Sequence, residues 1–124
     1  MAKVLLLQFH SDPDVTARRE ALSGLGAQLV EAEPRWPTFF DALTNERPDV
    51  VVISLGRIPS HGREAARYIK DGFNTRNIPV ILTDVPTKEI NLTRKAAPTA
   101  LIVERQHLAD AVYKTLTENL AGKS

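Results

Sequence analysis

Four short runs, almost wholly apolar, constrain this chain more than anything else in it: Val4–Leu7, Val50–Ile53, Val80–Leu82 and Ala100–Val103. Each is bounded by polar or turn-forming residues and is too short for a helix, and the second is strongly β-branched. A strand that is apolar on both faces belongs inside a parallel sheet covered by helices, because a sheet with one wet face alternates. Ala27–Glu31 reads as a fifth, weaker strand.

Helical periodicity fills the intervals. Asp12-Pro13 predicts an N-cap followed by proline at the first helical position, where no amide donor is missed. That helix carries Val15, Ala21, Leu22 and Leu25 and stops near Gly24 or Gly26. Trp36, Phe39, Phe40 and Leu43 fall at i, i+3, i+4 and i+7, the spacing of a buried stripe. Gly62, Ala65, Ala66, Ile69 and Phe73 make a narrow stripe suited to close packing on a sheet, and Leu108, Ala111, Val112, Leu116 and Leu120 mark the last helix. Thr87–Ala97 is weakly periodic and is read as a short helix. Strand and helix thus alternate five times, which implies parallel strands with right-handed crossovers. With 124 residues, the expected form is one α/β domain over 1–124. It is a flavodoxin-like doubly wound five-stranded sheet of order 2-1-3-4-5 with helices on both faces, and 121–124 form a frayed tail.

Composition narrows the function. Sixteen basic residues face 15 acidic ones, a formal net charge of +1, so nothing draws the chain to nucleic acid or an anionic membrane. There is no cysteine, which removes disulfides, thiolate metal sites and cysteine nucleophiles. The apolar run at Val4–Leu7 is too short for a signal-peptide core or a membrane span, and a cytoplasmic location is expected.

In an open parallel sheet, ligands bind at the carboxyl ends of the strands beside the switch in strand order. The loops to interrogate are Phe9–Asp12, Ser54–Gly62, Thr83–Pro86 and Glu104–His107. Pro48-Asp49-Val50-Val51-Val52-Ile53 followed by Ser54-Leu55, a proline and Gly62 resembles the third strand and loop of bacterial response-regulator receiver domains. Ile78-Pro79-Val80-Ile81-Leu82-Thr83 resembles their fourth strand, and Asp12-Pro13-Asp14 the end of their first loop. The resemblance runs through nearly the whole chain in element order.

That resemblance implies five chemical groups. Two acidic residues after strand one and an acceptor aspartate after strand three hold Mg²⁺ through oxygen ligands. A Thr or Ser after strand four and a Lys after strand five contact the phosphoryl group. Here the acceptor position is Ser54, and the acidic pair falls on Gln8-Phe9 or on His10-Ser11. Asp12 is the nearby carboxylate, and the expected helix cap claims it. The hydroxyl position is Thr83 or Asp84, and the lysine position is Glu104, a reversal of charge. A serine hydroxyl without a base or a metal is a poor nucleophile. The chain therefore looks like a pseudo-receiver: it is no enzyme, needs no cofactor and acts through protein partners.

Other chemistries are weaker. Ser60, His61, Gly62 and Arg63 form a candidate anion-binding loop if Ser60 caps the helix, against the plainer reading of a capped helix start. A flavin site needs a glycine-rich loop after strand one, where this chain has Phe9-His10-Ser11-Asp12-Pro13-Asp14, and no dinucleotide fingerprint is present. His10, His61 and His107 come from different loops, which favours solvated histidines over a metal site. A ligand site or hydrolytic constellation of His10, Ser54, His61 and Asp84 is the rival reading, without the glycine-flanked turn of a hydrolase nucleophile. A separate kinase acting on Ser54 or Ser60 is a third. Arg57, Arg63, Arg67, Lys70 and Arg76 gather around the third helix, but Glu64 and Asp71 interrupt them, as on a solvated face rather than a nucleic-acid surface. In receivers the fourth helix, fifth strand and fifth helix form the usual signalling and dimer face. On that analogy Arg94, Arg105 and Tyr113 are assigned to a partner or homodimer surface.

Overall fold

The computed structural model describes residues 2–122, with side chains described through residue 118. Five parallel strands, β1 (Lys3–Leu7), β2 (Gln28–Ala32), β3 (Val50–Ser54), β4 (Val80–Thr83) and β5 (Leu101–Val103), form one sheet in the order β2-β1-β3-β4-β5. The connecting helices are α1 (Val15–Ser23), α2 (Thr38–Glu46), α3 (Pro59–Asp71), α4 (Ile90–Ala96) and α5 (Leu108–Gly122). Single 3-10 turns at Thr87–Glu89 and Arg105–His107 lead into α4 and α5. This is the flavodoxin-like doubly wound architecture that the alternation of elements predicts.

The apolar runs sort by parity. Leu5, Leu7, Val51, Ile53 and Leu82 face Phe39 and Leu43 of α2 and Ala65, Ala66 and Ile69 of α3. Val4, Leu6, Val50, Val52 and Ile81 face Leu22 of α1 and Leu108, Val112 and Leu116 of α5. Residues Val50 to Ile53 are all fully buried, which is why β3 carries no polar position before Ser54. Gly62 lies where α3 crosses β3. A Cβ there would stand 2.9 Å from Leu55 Cδ1 and 3.2 Å from Ile53 Cγ2, so the small residue sets how closely the helix approaches the sheet.

Several expectations are corrected. Trp36 precedes α2 instead of joining its stripe, and it is 59% exposed while Phe39 and Leu43 are buried. Phe73 falls beyond α3, because Gly72 turns extended, and it lies exposed under the Arg76 guanidinium. Ala100 is outside β5, and Leu101 is half exposed, because β5 is an edge strand that pairs only with β4. Ser60 does not cap α3. Ile58 holds the cap position in the left-handed region at φ 48°, with Pro59 as the first helical residue. Asp12 and Pro13 precede α1, whose cap position is Asp14. Helix α5 continues through residues 121–122, where a tail is expected. Residues 123–124 and the side chain of Leu120 lie outside the described residues.

Candidate functional site at the carboxyl end of the sheet

Strand β1 delivers Gln8 to the mouth, β3 delivers Ser54, β4 delivers Thr83 and Asp84, and the turn after β5 delivers Arg105. The mouth is filled from the side by a residue that none of the receiver motifs points to. Arg18, on the inward face of α1, is fully buried. Its Nε donates to Gln8 Oε1 at 2.8 Å and its Nη1 to Asp84 Oδ2 at 2.5 Å. Its Nη2 lies 2.5 Å from Asp12 Oδ2, an ion contact that lacks hydrogen-bond alignment. A guanidinium withdrawn from water needs this many partners, because an uncompensated buried charge costs several kcal/mol.

Each partner is held in turn. The Gln8 amide nitrogen donates to Glu31 Oε1 at 3.0 Å, which aims its oxygen at Arg18. Arg19 hydrogen-bonds Glu31 from outside, and chiefly for that reason the Glu31 carboxyl titrates below the ordinary carboxylate range. Asp12 Oδ1 accepts from the Asp14 backbone N–H at 2.8 Å, so the carboxylate folds its own loop while Oδ2 meets Arg18. Asp84 sits at φ 56°, a left-handed conformation that aspartate tolerates better than most residues, and shares its carboxylate between two arginines. Arg105 Nη2 reaches Asp84 Oδ1 at 2.8 Å and Asp14 Oδ2 at 2.9 Å. The Asp84 hydrogen bonds first, with Asp14 adding to them, hold the Arg105 guanidinium above its ordinary pKa against the opposing effect of burial. The result is a chain of alternating charge, Asp12–Arg18–Asp84–Arg105–Asp14.

Gly56 closes over it. A Cβ at that position would lie 3.3 Å from Asp12 Oδ2 and 3.5 Å from both Asp84 Cβ and Ser54 Oγ. Ser54 is buried, and its Oγ accepts the Gly56 backbone N–H at 3.2 Å, ending β3. Thr83 is fully buried with a hydroxyl that has no hydrogen-bond partner. Glu104 is exposed and accepts from Gln106.

The remaining candidates are dispersed. Arg63 is paired with Glu89 at 2.8 Å, at the entrance to α4, so it does not stand free for an anion beside Ser60 and His61. Gly62 serves packing. His61 is exposed, its ring tilted against Phe9, and His10 leans toward Glu33 at 3.8 Å. His107 lies in the turn before α5. With Asp84 claimed by two arginines, His10, Ser54, His61 and Asp84 each have different neighbours. Among the described residues, no group of three or more His, Cys, Asp or Glu is arranged to hold a metal, and no helix is long and apolar enough to cross a membrane. Of the residues assigned to a partner surface, Arg94 and Tyr113 are exposed, whereas Arg105 is turned into the mouth. Arg18 carried one overlooked signal: with Val15 and Leu22 it occupies i, i+3 and i+7, an arginine on an apolar stripe.

No protein-family model and no curated protein matches the chain. Solved structures do. A signal receiver domain of a signal transduction histidine kinase from Syntrophus aciditrophicus superposes with a TM-score of 0.74 at 20% identity, covering 95% of this chain and 92% of that one. The signal receiver domain of a DNA-binding response regulator from Colwellia psychrerythraea 34H gives 0.70 at 22%, covering 95% and 99%. That of a modulated diguanylate cyclase from Desulfovibrio desulfuricans G20 gives 0.71 at 16%, covering 99% and 96%. The fold is that of receiver domains.

Proposed function

We propose that this chain is a receiver-like signalling domain that passes its signal by protein contact and without aspartyl phosphate. The observation that carries the reading is the Arg18 guanidinium, buried among Gln8, Asp12 and Asp84 in the mouth. A receiver needs a divalent cation held there by carboxylate oxygens. Here a fixed positive charge already occupies the carboxylates, and it would repel a metal ion. Ser54 at the acceptor position has no carboxylate to offer, and Glu104 replaces an attracting lysine with a repelling charge.

The face of α4, β5 and α5 is the surface assigned to a protein partner. It exposes Leu92, Leu101 and Tyr113, and a hollow of about 330 Å³ opens there beside Arg94, Pro98 and Ile102. Arg105, at the start of the turn into α5, ties this face to the mouth.

Incubation with acetyl phosphate and Mg²⁺ is expected to leave the intact mass unchanged. Ser54→Asp is also expected to stay unlabelled, because Arg18 remains in the cation position. A phosphoryl adduct on the wild type that disappears in Asp12→Asn, or ready labelling of Ser54→Asp, would overturn the reading.

A further inference from the structure

On the side of the sheet opposite α1 and α5, four aromatic rings from two helices and a loop meet at the surface. Trp36 contacts Phe39, Phe40 and Tyr68 at centroid distances of 5.8, 5.0 and 5.2 Å, and Tyr68 contacts Phe39 and Phe40 at 5.7 and 5.9 Å. Only Phe39 is buried. Trp36 is 59% exposed and Tyr68 39% exposed. Tyrosine and tryptophan exposed together, beside arginine, are the residue types that dominate the centres of protein interfaces.

The relief of this surface is specific. A hollow of about 560 Å³ lies on one side of the ridge, floored by Phe39 and Ala65, walled by Trp36 and Tyr68, and edged by Arg35, His61, Glu64 and Arg67. A second, of about 580 Å³, lies toward the amino end of the sheet, where Phe40, Leu43 and Ile78 line it. A knob beside a hollow large enough to take an aromatic ring lets two copies seat each other's knob under a two-fold rotation, as an isologous interface requires. The charges agree. Arg67 lies between Glu64 and Asp71 on α3, 2.6 Å from the first and 3.8 Å from the second. A strongly acidic or basic partner would meet repulsion from part of this rim, whereas a second copy can oppose Arg67 with its own Glu64 or Asp71.

We infer that the α2–α3 face is an isologous dimer surface of this chain, with Trp36 and Tyr68 at its centre and Glu64, Arg67 and Asp71 exchanging ion pairs across the two-fold. This deepens the contact-based reading above by adding a second copy as a partner. It leaves the α4–β5–α5 face open to another protein.

Sedimentation velocity over a concentration series tests it. The wild type is expected to show a monomer–dimer equilibrium, with the emission of Trp36, the chain's one tryptophan, shifting to the blue as the dimer forms. Trp36→Ala with Tyr68→Ser is expected to raise the dimer dissociation constant about 30-fold or more, the effect of one interface hot spot. Arg67→Glu, which leaves the aromatic ridge intact, is expected to weaken the dimer, and adding Glu64→Arg to restore it. Tyr113→Ala, on the opposite face, is expected to change nothing. A wild type monomeric throughout the series would overturn the inference. So would a dimer that survives the aromatic double variant but is lost in Tyr113→Ala, or an aromatic face that only a different protein or a small molecule covers. None of these outcomes touches the phosphorylation result, so the two readings fail separately.

Discussion

Arg18→Ala is expected to lower the free energy of unfolding by about 3–5 kcal/mol, the cost of removing one partner from a buried ion pair. The substitution removes the buried aliphatic stem of Arg18 as well as its charge. The larger cost lies in what it leaves behind: Asp12, buried, loses its counter-charge, Gln8 Oε1 loses its donor, and Asp84 keeps only Arg105. Urea denaturation with intact secondary structure checks the value. Arg18→Met combined with Asp12→Asn and Asp84→Asn separates charge from packing. It removes the buried cation and both its counter-ions while keeping much of the volume, and asparagine tolerates the left-handed backbone at position 84. The triple variant is expected to recover most of the loss, as buried ion pairs replaced together often do. A single Arg18→Ala costing less than about 1 kcal/mol would mean that the side chain reaches water and that its pairing resembles an exposed salt bridge. The cation substitute on which the functional reading depends would then be lost with it.

Gly62→Val is expected to destabilise by roughly 3 kcal/mol, the upper range for forcing extra atoms into a packed core. Two effects oppose each other. Glycine inside a helix costs about 1 kcal/mol relative to alanine, so a side chain helps α3 locally. Against this, the new Cβ alone would stand 2.9 Å from Leu55 Cδ1 and 3.1 Å from Leu55 Cγ, and Leu55 is itself fully buried with nowhere to retreat. The steric term wins, and α3 must move off β3. Adding Leu55→Ala is expected to return part of the loss, giving a coupling energy that residues out of contact do not show. Additive losses in the double variant would remove Gly62 from the packing role and return it to the loop Ser60–Arg63. The same displacement would shift Tyr68 and weaken the dimer, so the two measurements inform each other.

The fold was legible in the sequence because its information is local. Whether a run such as Val50–Ile53 is apolar on both faces can be read without knowing its neighbours, and that property calls for a parallel sheet covered on both sides. The order of strands and helices then leaves few topologies, because crossovers have one hand. The residue types at the receiver-like positions were equally legible, since a serine at 54 and a glutamate at 104 are read from the sequence without geometry. Helix boundaries were less so. Periodicity placed Trp36 and Phe73 on buried stripes, but α2 starts at Thr38 and α3 stops at Asp71. A stripe is buried only over the residues that are helical.

What only the tertiary structure decided is how the mouth is filled. Arg18 meets Asp84 across 66 positions of chain, and Arg105 meets Asp14 across 91. No local pattern relates such residues. Read alone, Asp12 is a helix cap, Arg105 a surface charge and Arg18 an arginine on an amphipathic helix. Folding brings them within hydrogen-bonding or ion-pairing distance, and burial makes the pairing compulsory, because a guanidinium out of water must find its counter-charges inside the protein.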